Sequence, residues 1–436
     1  MVKLYDSKTN NLIELNEEEI SIYNCGPTVY NHIHIGNARP LITFDVLNRL
    51  LLKLGKKVTY VLNITDIDDK IINEALKQNM AELDLSNHYT EEYLKIKAAL
   101  NTLPMTNPKV SENIAGIIEY IAQLVDNGSA YVVDGDVYFD TTKNPNYGSI
   151  SKRKPDELLE GARVEKDLKK RHPNDFVLWK KTDKGIQWDT EWCRGRPGWH
   201  TECAYLIHKL IGNQATIHGG GMDLKFPHHE NENAQNEALY GCSLAKVWMH
   251  VGMININNEK MSKSLNNFIL VKDILQEYTY QALRWFFYQA NFSNPLNYSK
   301  EVMDSMESEV NKFKTSLNQA RNFMLINGID YSINPETINP EIINFLSDNL
   351  NVNNAITVIY DINKRLNIAI RNKQAEEVKN LYFELLNGLD LLGINFPNLH
   401  TAEVNELVLA WNTEMKAKNY SKSDEIRQEL IKKGVM

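Results

Sequence analysis

No run of about 18 uncharged apolar residues, the length a membrane-spanning helix requires, occurs anywhere in this chain of 436 residues. Residues 1–16 carry charge from Lys3 onward and hold no apolar stretch followed by a small-residue cleavage site, so a cytoplasmic location without a secretory leader is expected. Cysteine is scarce. Cys25, Cys193, Cys203 and Cys242 are too few and too far apart for a disulfide framework in a chain long enough to bury its own core, which leaves metal ligation or plain burial. An excess of basic charge is missing too: 48 Lys and Arg face 56 Asp and Glu, a net charge of −8, so any polyanionic partner must meet local basic patches. Internal repeats and long low-complexity tracts are absent. With 43% apolar and 24% charged residues the composition is that of a folded globular protein rather than a disordered one. At roughly 150 residues per domain the length suggests about three domains.

What is present begins with a strand–helix–strand pattern. Short apolar runs at residues 20–23 and 58–62 read as buried strands, and between them Leu41, Phe44, Leu47, Leu50, Leu51 and Leu54 recur at helical spacing before Gly55. Such a unit favours a parallel sheet, whose ligands bind beyond the carboxyl ends of the strands. Turn residues and basic groups (Lys152, Arg153, Lys154, then Lys169, Lys170, Arg171) mark residues 134–199 as an insertion. The α/β pattern then resumes, with helix expected at 202–210 and 230–239 and strand at 214–218 and 247–256. Beyond Val271 strand signals stop and the chain reads as mostly helical.

Three constellations carry chemistry. In residues 23–39, Cys25, Gly26, Thr28, His32, His34, Gly36 and Asn37 fall where the first strand should end. A glycine beside an imidazole at a helix N-terminus lets backbone N–H groups approach phosphate oxygens, although ordinary hydrogen-bonded surface histidines fit the same residues. Residues 260–264, with Lys260 and Lys263 set apart by Met261 and the small, flexible Ser262, could clamp a polyphosphate and stabilise leaving pyrophosphate, or form a solvated basic turn. Lastly, if Pro227 opens a helix, His228 and Glu232 share one face four residues apart; with Cys25 and Cys203 they make a thiolate, thiolate, imidazole, carboxylate set suited to Zn²⁺. Burial alone would also account for Cys203, and a capping or surface role for His228. His229 could replace His228, but its i+4 neighbour is Asn233, a poor zinc ligand.

The segments CGPTVYNHIHIGNAR, YVLNITDIDDKI, GRPGWHTEC, IHGGGMDLKFPHHENENAQ and KMSKSLNNF stand in the order and approximate spacing of the cysteinyl-tRNA synthetases, and over nearly its whole length the chain resembles that family. The resemblance implies an α/β fold, a Rossmann-type parallel-sheet catalytic domain with an insertion, followed by an all-α C-terminal region. It divides the chain into residues 1–133 and 199–270 as the two catalytic halves, 134–198 as the connective insertion, 271–395 as a helical stem-contact and bundle region, and 396–436 as an anticodon-side helical segment. The implied activity is ATP-dependent conversion of L-cysteine to cysteinyl-adenylate, release of pyrophosphate, and transfer of the cysteinyl group to the 3′ end of tRNA(Cys), with Mg²⁺ accompanying ATP and a monomer expected.

By the same matching, one Zn²⁺ is held by Cys25, Cys203, His228 and Glu232 and receives the substrate thiolate. His34, Gly36, Asn37 and Lys263 meet ATP; His34, Lys260 and Lys263 serve catalysis; Thr28, Thr65, Trp199, His218 and Asp223 surround the amino acid. Zinc is suited to telling cysteine from serine. A hydrophobic pocket separates the two poorly, whereas a borderline-soft cation binds a thiolate far better than an alcohol, so no editing domain is expected. Departures from the family are visible. Asn37 replaces a usual histidine and keeps a hydrogen bond to ATP while losing a cationic contact. Residues 191–194 read Glu-Trp-Cys-Arg, making Cys193 an additional thiol read as structural rather than ligating, and residues 291–294 lack a usual basic residue. The sequence stops at Met436 without the family's usual terminal strand-like segment, leaving Lys416, Lys418, Lys422, Arg427, Lys432 and Lys433 as a basic surface for phosphate contacts. Two other functions are to be separated from this one: a cysteine ligase of the same fold acting on an amino sugar in mycothiol synthesis, and a zinc-containing nucleic-acid-binding protein without catalysis.

Overall fold

The alternation of short apolar runs with amphipathic stretches resolves into a four-stranded parallel sheet in the order Ala245–Val251, Ala215–Gly221, Glu19–Asn24, Lys57–Leu62. The structure is a computed structural model and describes residues 1–152, 169–261 and 267–436. Ile20, Ile22, Tyr60, Val61, Ile217, Val247 and Met249 are buried on the strands, as a parallel sheet covered on both faces demands. From the central strand Glu19–Asn24 the chain passes to Lys57–Leu62 on one side and, much later, to Ala215–Gly221 on the other, so the strand order reverses between Glu19–Asn24 and Ala215–Gly221. A crevice therefore opens beyond Asn24 and Gly221, at the carboxyl ends where such sheets bind ligands.

The helix following the first of these strands, Ile35–Lys53, begins earlier than the apolar spacing suggested. It takes His34 as its N-cap and Asn37 Oδ1 accepts the His34 N–H at 3.3 Å, so an end that would otherwise leave donors orphaned is satisfied before Pro40 is reached. The expected strand at 247–256 is two strands, Ala245–Val251 and Ile254–Ile256, broken at Gly252 and Met253. The reason is local: Gly252 N–H donates to Phe292 O at 2.8 Å, and a Cβ at Gly252 would lie 2.3 Å from Asn294 O, so the backbone leaves the sheet where another segment crowds it.

Between the two α/β stretches lies a five-stranded antiparallel sheet, ordered Ala130–Val133, Asp136–Phe139, Phe176–Lys181, Arg194–Pro197, Trp188–Asp189. Its first hairpin pairs Val133 with Asp136 and turns at Asp134 and Gly135, both at positive φ. Arg153 and Lys154 lie outside the described residues.

The chain divides into two compact units, one of residues 1–255, 259–274 and 292–296, the other of 256–258, 275–291 and 297–436. The second is built on the helices Tyr280–Phe287, Lys300–Ile326, Pro340–Ser347, Val352–Arg371, Ala375–Leu391, Ala402–Lys416 and Tyr420–Lys432. Trp285, Phe313 and Tyr360 meet edge to face or tilted in its core, at ring separations from 5.0 to 5.7 Å. Past Val271 the only strand among the described residues is Leu296–Tyr298, three residues that the composition did not betray. Among the described residues no helix is long and apolar enough to cross a membrane.

Candidate metal centre and nucleotide cleft

Cys25 is the first residue past the strand Glu19–Asn24, Cys203 lies in the helix Trp199–Leu210, and His228 and Glu232 occupy the first and second turns of the helix His228–Tyr240. Pro227 precedes that helix, so the spacing of four places both donors on the face turned to the strand ends. The four ligand atoms lie within 4.8 Å of one another. Cys25 Sγ is 3.7 Å from Cys203 Sγ and 3.5 Å from Glu232 Oε1. Zinc–sulfur bonds of about 2.3 Å at a tetrahedral angle set two thiolates about 3.8 Å apart and a thiolate and carboxylate oxygen about 3.6 Å apart, so these two edges fit zinc nearly as they stand. His228 Nε2 lies 2.7 Å from Glu232 Oε1, a hydrogen-bond distance. A cation in place of the shared proton would open it by about 0.7 Å.

The electrostatics of this cluster are those of buried donors sharing protons. Burial opposes the Glu232 charge, but His228 and then His218 outweigh it and hold the carboxyl well below the usual carboxylate range. Burial likewise disfavours a charged His228, yet Glu232 and Cys203 raise it to about 10. For Cys203, burial pushes the thiol up while hydrogen bonding from Cys25 and His228 brings it down to about 6; Cys25 is driven well above its ordinary value by burial and by its bond to Cys203. One thiolate is thus formed readily, and a second needs a further positive charge.

A second donor set, Cys25, His218, His229 and Glu232, is gathered as closely. Each of its imidazoles keeps one ring nitrogen on a partner outside the set. His218 Nδ1 meets Tyr23 O at 2.9 Å and its Nε2 meets Glu232 Oε2 at 2.6 Å, so this ring orients the carboxylate. His229 Nε2 lies 3.4 Å from Cys25 Sγ, while its Nδ1 meets His250 Nε2 at 2.8 Å; His250 Nδ1 in turn meets Ser7 Oγ at 2.5 Å. His200 Nδ1 lies 3.0 Å from His228 Nδ1. Ser7, His200 and His250 do not stand out in the sequence. His200 adjoins Trp199 and could have been suspected, whereas Ser7 and His250 carry no local signal.

Beside these donors runs a cleft of about 260 Å³ lined by Cys25, Thr28, His34, Gly36, Asn37, Trp199, Asp223 and Met261. Trp199 stacks on His228 with ring centroids 4.2 Å apart and is 37% exposed, which is the position of a cover rather than of a core residue. Gly36 leaves room at a crowded point: a Cβ there would lie 3.0 Å from both His34 Cε1 and Met261 Cε, closer than ordinary van der Waals contact. Asn37 uses Oδ1 to cap its own helix, leaving the amide NH₂ for other contacts. Thr65 and His218 stand behind the cleft wall instead of in it. Thr65 is buried, pairs its backbone with that of Thr28, and donates Oγ1–H to Glu202 Oε2 at 3.4 Å; His218 is fully buried against Glu232. Lys260 ends the short strand Glu259–Lys260, is exposed, and does not line the cleft; Lys263 lies outside the described residues. Cys193 belongs to neither donor set and donates Sγ–H to Gly135 O at 2.9 Å.

In the second unit the basic surface is partly neutralised. Lys422 pairs with Glu414 at 2.7 Å and Lys433 with Glu403 at 2.9 Å, so two of the six cations read from the sequence already face carboxylates.

Comparison with known proteins gives a consistent result. The model of the class I (C) catalytic domain of tRNA synthetases matches residues 11–308. A cysteine–tRNA ligase of Ureaplasma parvum is 54% identical and one of Malacoplasma penetrans 49% identical, each alignment covering 100% of both chains. Among solved structures, a Mycobacterium tuberculosis methionyl-tRNA synthetase in complex with methionyl-adenylate superposes with a TM-score of 0.61 at 13% identity, covering 91% of each chain, which speaks to the fold.

Proposed function

The chain belongs to the cysteine–tRNA ligase family and catalyses the ATP-dependent joining of cysteine to tRNA, and from that premise we propose how its own residues divide the work. The observation that carries the proposal is the pair of thiols, imidazole and carboxylate gathered where the strand order reverses, opening onto a cleft whose other end is the N-terminus of the helix Ile35–Lys53.

Cys25, Cys203, His228 and Glu232 would hold Zn²⁺; the alternative set is disfavoured because His218 spends both ring nitrogens on Tyr23 O and Glu232 and because two thiolates suit zinc better than one. Bound there, the ion would supply a soft acceptor for the substrate thiolate that the hydroxyl of serine cannot match. Trp199, stacked on His228, covers the amino acid, and Thr28 and Asp223 approach it from the cleft wall. Thr65 and His218 act from behind, on Glu202 and Glu232. At the opposite end, His34, Gly36 and Asn37 receive the ATP phosphates, with Mg²⁺ carried by the nucleotide; the closeness that Gly36 permits is what backbone–phosphate contact needs. The cysteine carboxylate attacks the α-phosphate, so catalysis is positioning plus stabilisation of the departing pyrophosphate by His34, Lys260 and Lys263.

Residues 271–395 would contact the tRNA stem and residues 396–436 lie on its anticodon side. A groove of about 920 Å³ there, lined by Phe323, Trp411, Tyr420 and Arg427 among others, has the aromatic and guanidinium surfaces on which unpaired bases stack. A cytoplasmic location, expected from the sequence, and a monomeric state, expected from the family resemblance, complete the proposal.

The test is ATP–pyrophosphate exchange with cysteine and with serine, followed by charging of total tRNA. Cysteine-dependent exchange and a charged tRNA(Cys) are expected. Exchange without charging, with an amino sugar accepted instead, would overturn the tRNA assignment, and absence of exchange would overturn both steps.

A further inference from the structure

Free cysteine is a zwitterion, and the cleft must recognise a carboxylate and an ammonium as well as a thiol. Among the described residues lining it, Lys70 is the one permanent cation and Asp223 the one carboxylate. Lys70 lies in the first turn of the helix Asp69–Gln78, within the segment YVLNITDIDDKI, and the sequence alone assigns it no role. Its ammonium stands 5.8 Å from the Tyr30 ring centroid and 6.0 Å from that of Trp199, two rings that line the same cleft. The neighbouring acids are engaged elsewhere: Asp68 Oδ1 accepts the backbone N–H of Lys70, and Asp69 pairs with Lys180 at 3.1 Å and with Arg196. The ammonium is therefore steadied by ring faces, which guide a cation without neutralising it, and it keeps its donors for an anion.

The position selects which anion. Trp199 stacks on His228, so Lys70 belongs to the metal-donor end of the cleft and not to the end formed by His34, Gly36 and Asn37, where a triphosphate would lie. The negative group of the substrate at that end is the α-carboxylate of the amino acid. We propose that Lys70 binds the carboxylate of free cysteine, with Asp223 taking its ammonium, so that three separate groups of the cleft read the three polar groups of one small molecule. The inference rests on the function proposed above and deepens it. The carboxylate keeps its second oxygen and most of its charge until the bond to phosphorus has formed, so the contact serves the bound substrate and the transition state alike, and its loss should appear in KM for cysteine rather than in kcat.

The experiment compares wild type with Lys70→Met and Lys70→Arg in ATP–pyrophosphate exchange, with cysteamine, which lacks the carboxylate, as a competing inhibitor. Lys70→Met should raise KM for cysteine about tenfold, with kcat and KM for ATP within about twofold of wild type, and Lys70→Arg should recover most of the loss. The cysteamine inhibition constant should be the same in wild type and Lys70→Met. An unchanged KM for cysteine overturns the proposal. Equal weakening of cysteine and cysteamine overturns it too, since the methylene stem or the rings would then be responsible, and so does a defect confined to tRNA charging. Wild-type protein without cysteine-dependent exchange would refute the underlying function, and the role of Lys70 with it.

Discussion

Glu232 is the residue on which the donor cluster turns, and replacing it by glutamine isolates its charge from its shape. The side chain is fully buried, with one oxygen 2.6 Å from His218 and the other 2.7 Å from His228. In the metal-free protein, removing one partner of such a buried arrangement costs about 3 kcal/mol, because the groups left behind lose their counter-charge without regaining water. For a domain of a few hundred residues that is a fall in Tm of about 6–12 °C. The pH dependence has a definite sign. The depressed Glu232 carboxyl contributes stability above its unfolded value near 4.5, and this is lost as pH falls below that value; the raised His228 contributes below 6.5, and this is lost as pH rises through about 10. Calorimetry in chelator across pH 4 to 10 should therefore show a plateau in the wild type whose height Glu232→Gln lowers and whose flanks it flattens. Zinc affinity, measured by competition with a chromophoric chelator, should fall by more than about a hundredfold, since an amide oxygen is a weaker ligand than a carboxylate. A metal-free variant with the Tm of the wild type throughout that range would falsify the account of the cluster, and unaltered zinc affinity would remove Glu232 from the ligand set.

Three further outcomes are expected. Cys203→Ser should lower zinc content and weaken cysteine binding much more than ATP binding, measured by metal analysis and exchange on one preparation; a zinc-free protein that still excluded serine would shift selectivity to Trp199 and its neighbours. Lys263→Ala should slow adenylate formation far more than it weakens cysteine binding, and unchanged pyrophosphate exchange would rule out its contact with the departing phosphates. Deletion after Asn395 should leave cysteine activation nearly intact while tRNA charging fails, since the terminal helices, whose cluster of Val404, Val408, Leu430 and Val435 packs on Leu325 and Ile326, belong wholly to the second unit; equal loss of both activities in a folded truncation would contradict the division of labour.

The parts of this protein that the sequence determined by itself are those with a short range or a strict period. His228 and Glu232 could be placed on one face because a helix repeats every 3.6 residues, and the strands at Ile20 and Val58 could be located because a sheet covered on both faces asks for short runs rich in apolar residues, interrupted here only by Ser21 and Thr59. The ordered motifs likewise carried Cys25 and Cys203 into one proposed site although 178 residues separate them. The parallel pairing of Tyr23 with His218 and of Asn24 with Gly219 is what puts the two halves of that site side by side, and no local property of either strand encodes its partner. Tertiary structure alone decided that Thr65 and His218 lie behind the cleft, that Ser7 and His250 steady His229, that Glu414 and Glu403 offset part of the C-terminal basic surface, and that Lys70 reaches the cleft between two aromatic rings. Each of these depends on which groups lose water and which partner they then meet across long stretches of chain, and burial and partnership are properties of the folded packing, absent from any window of sequence.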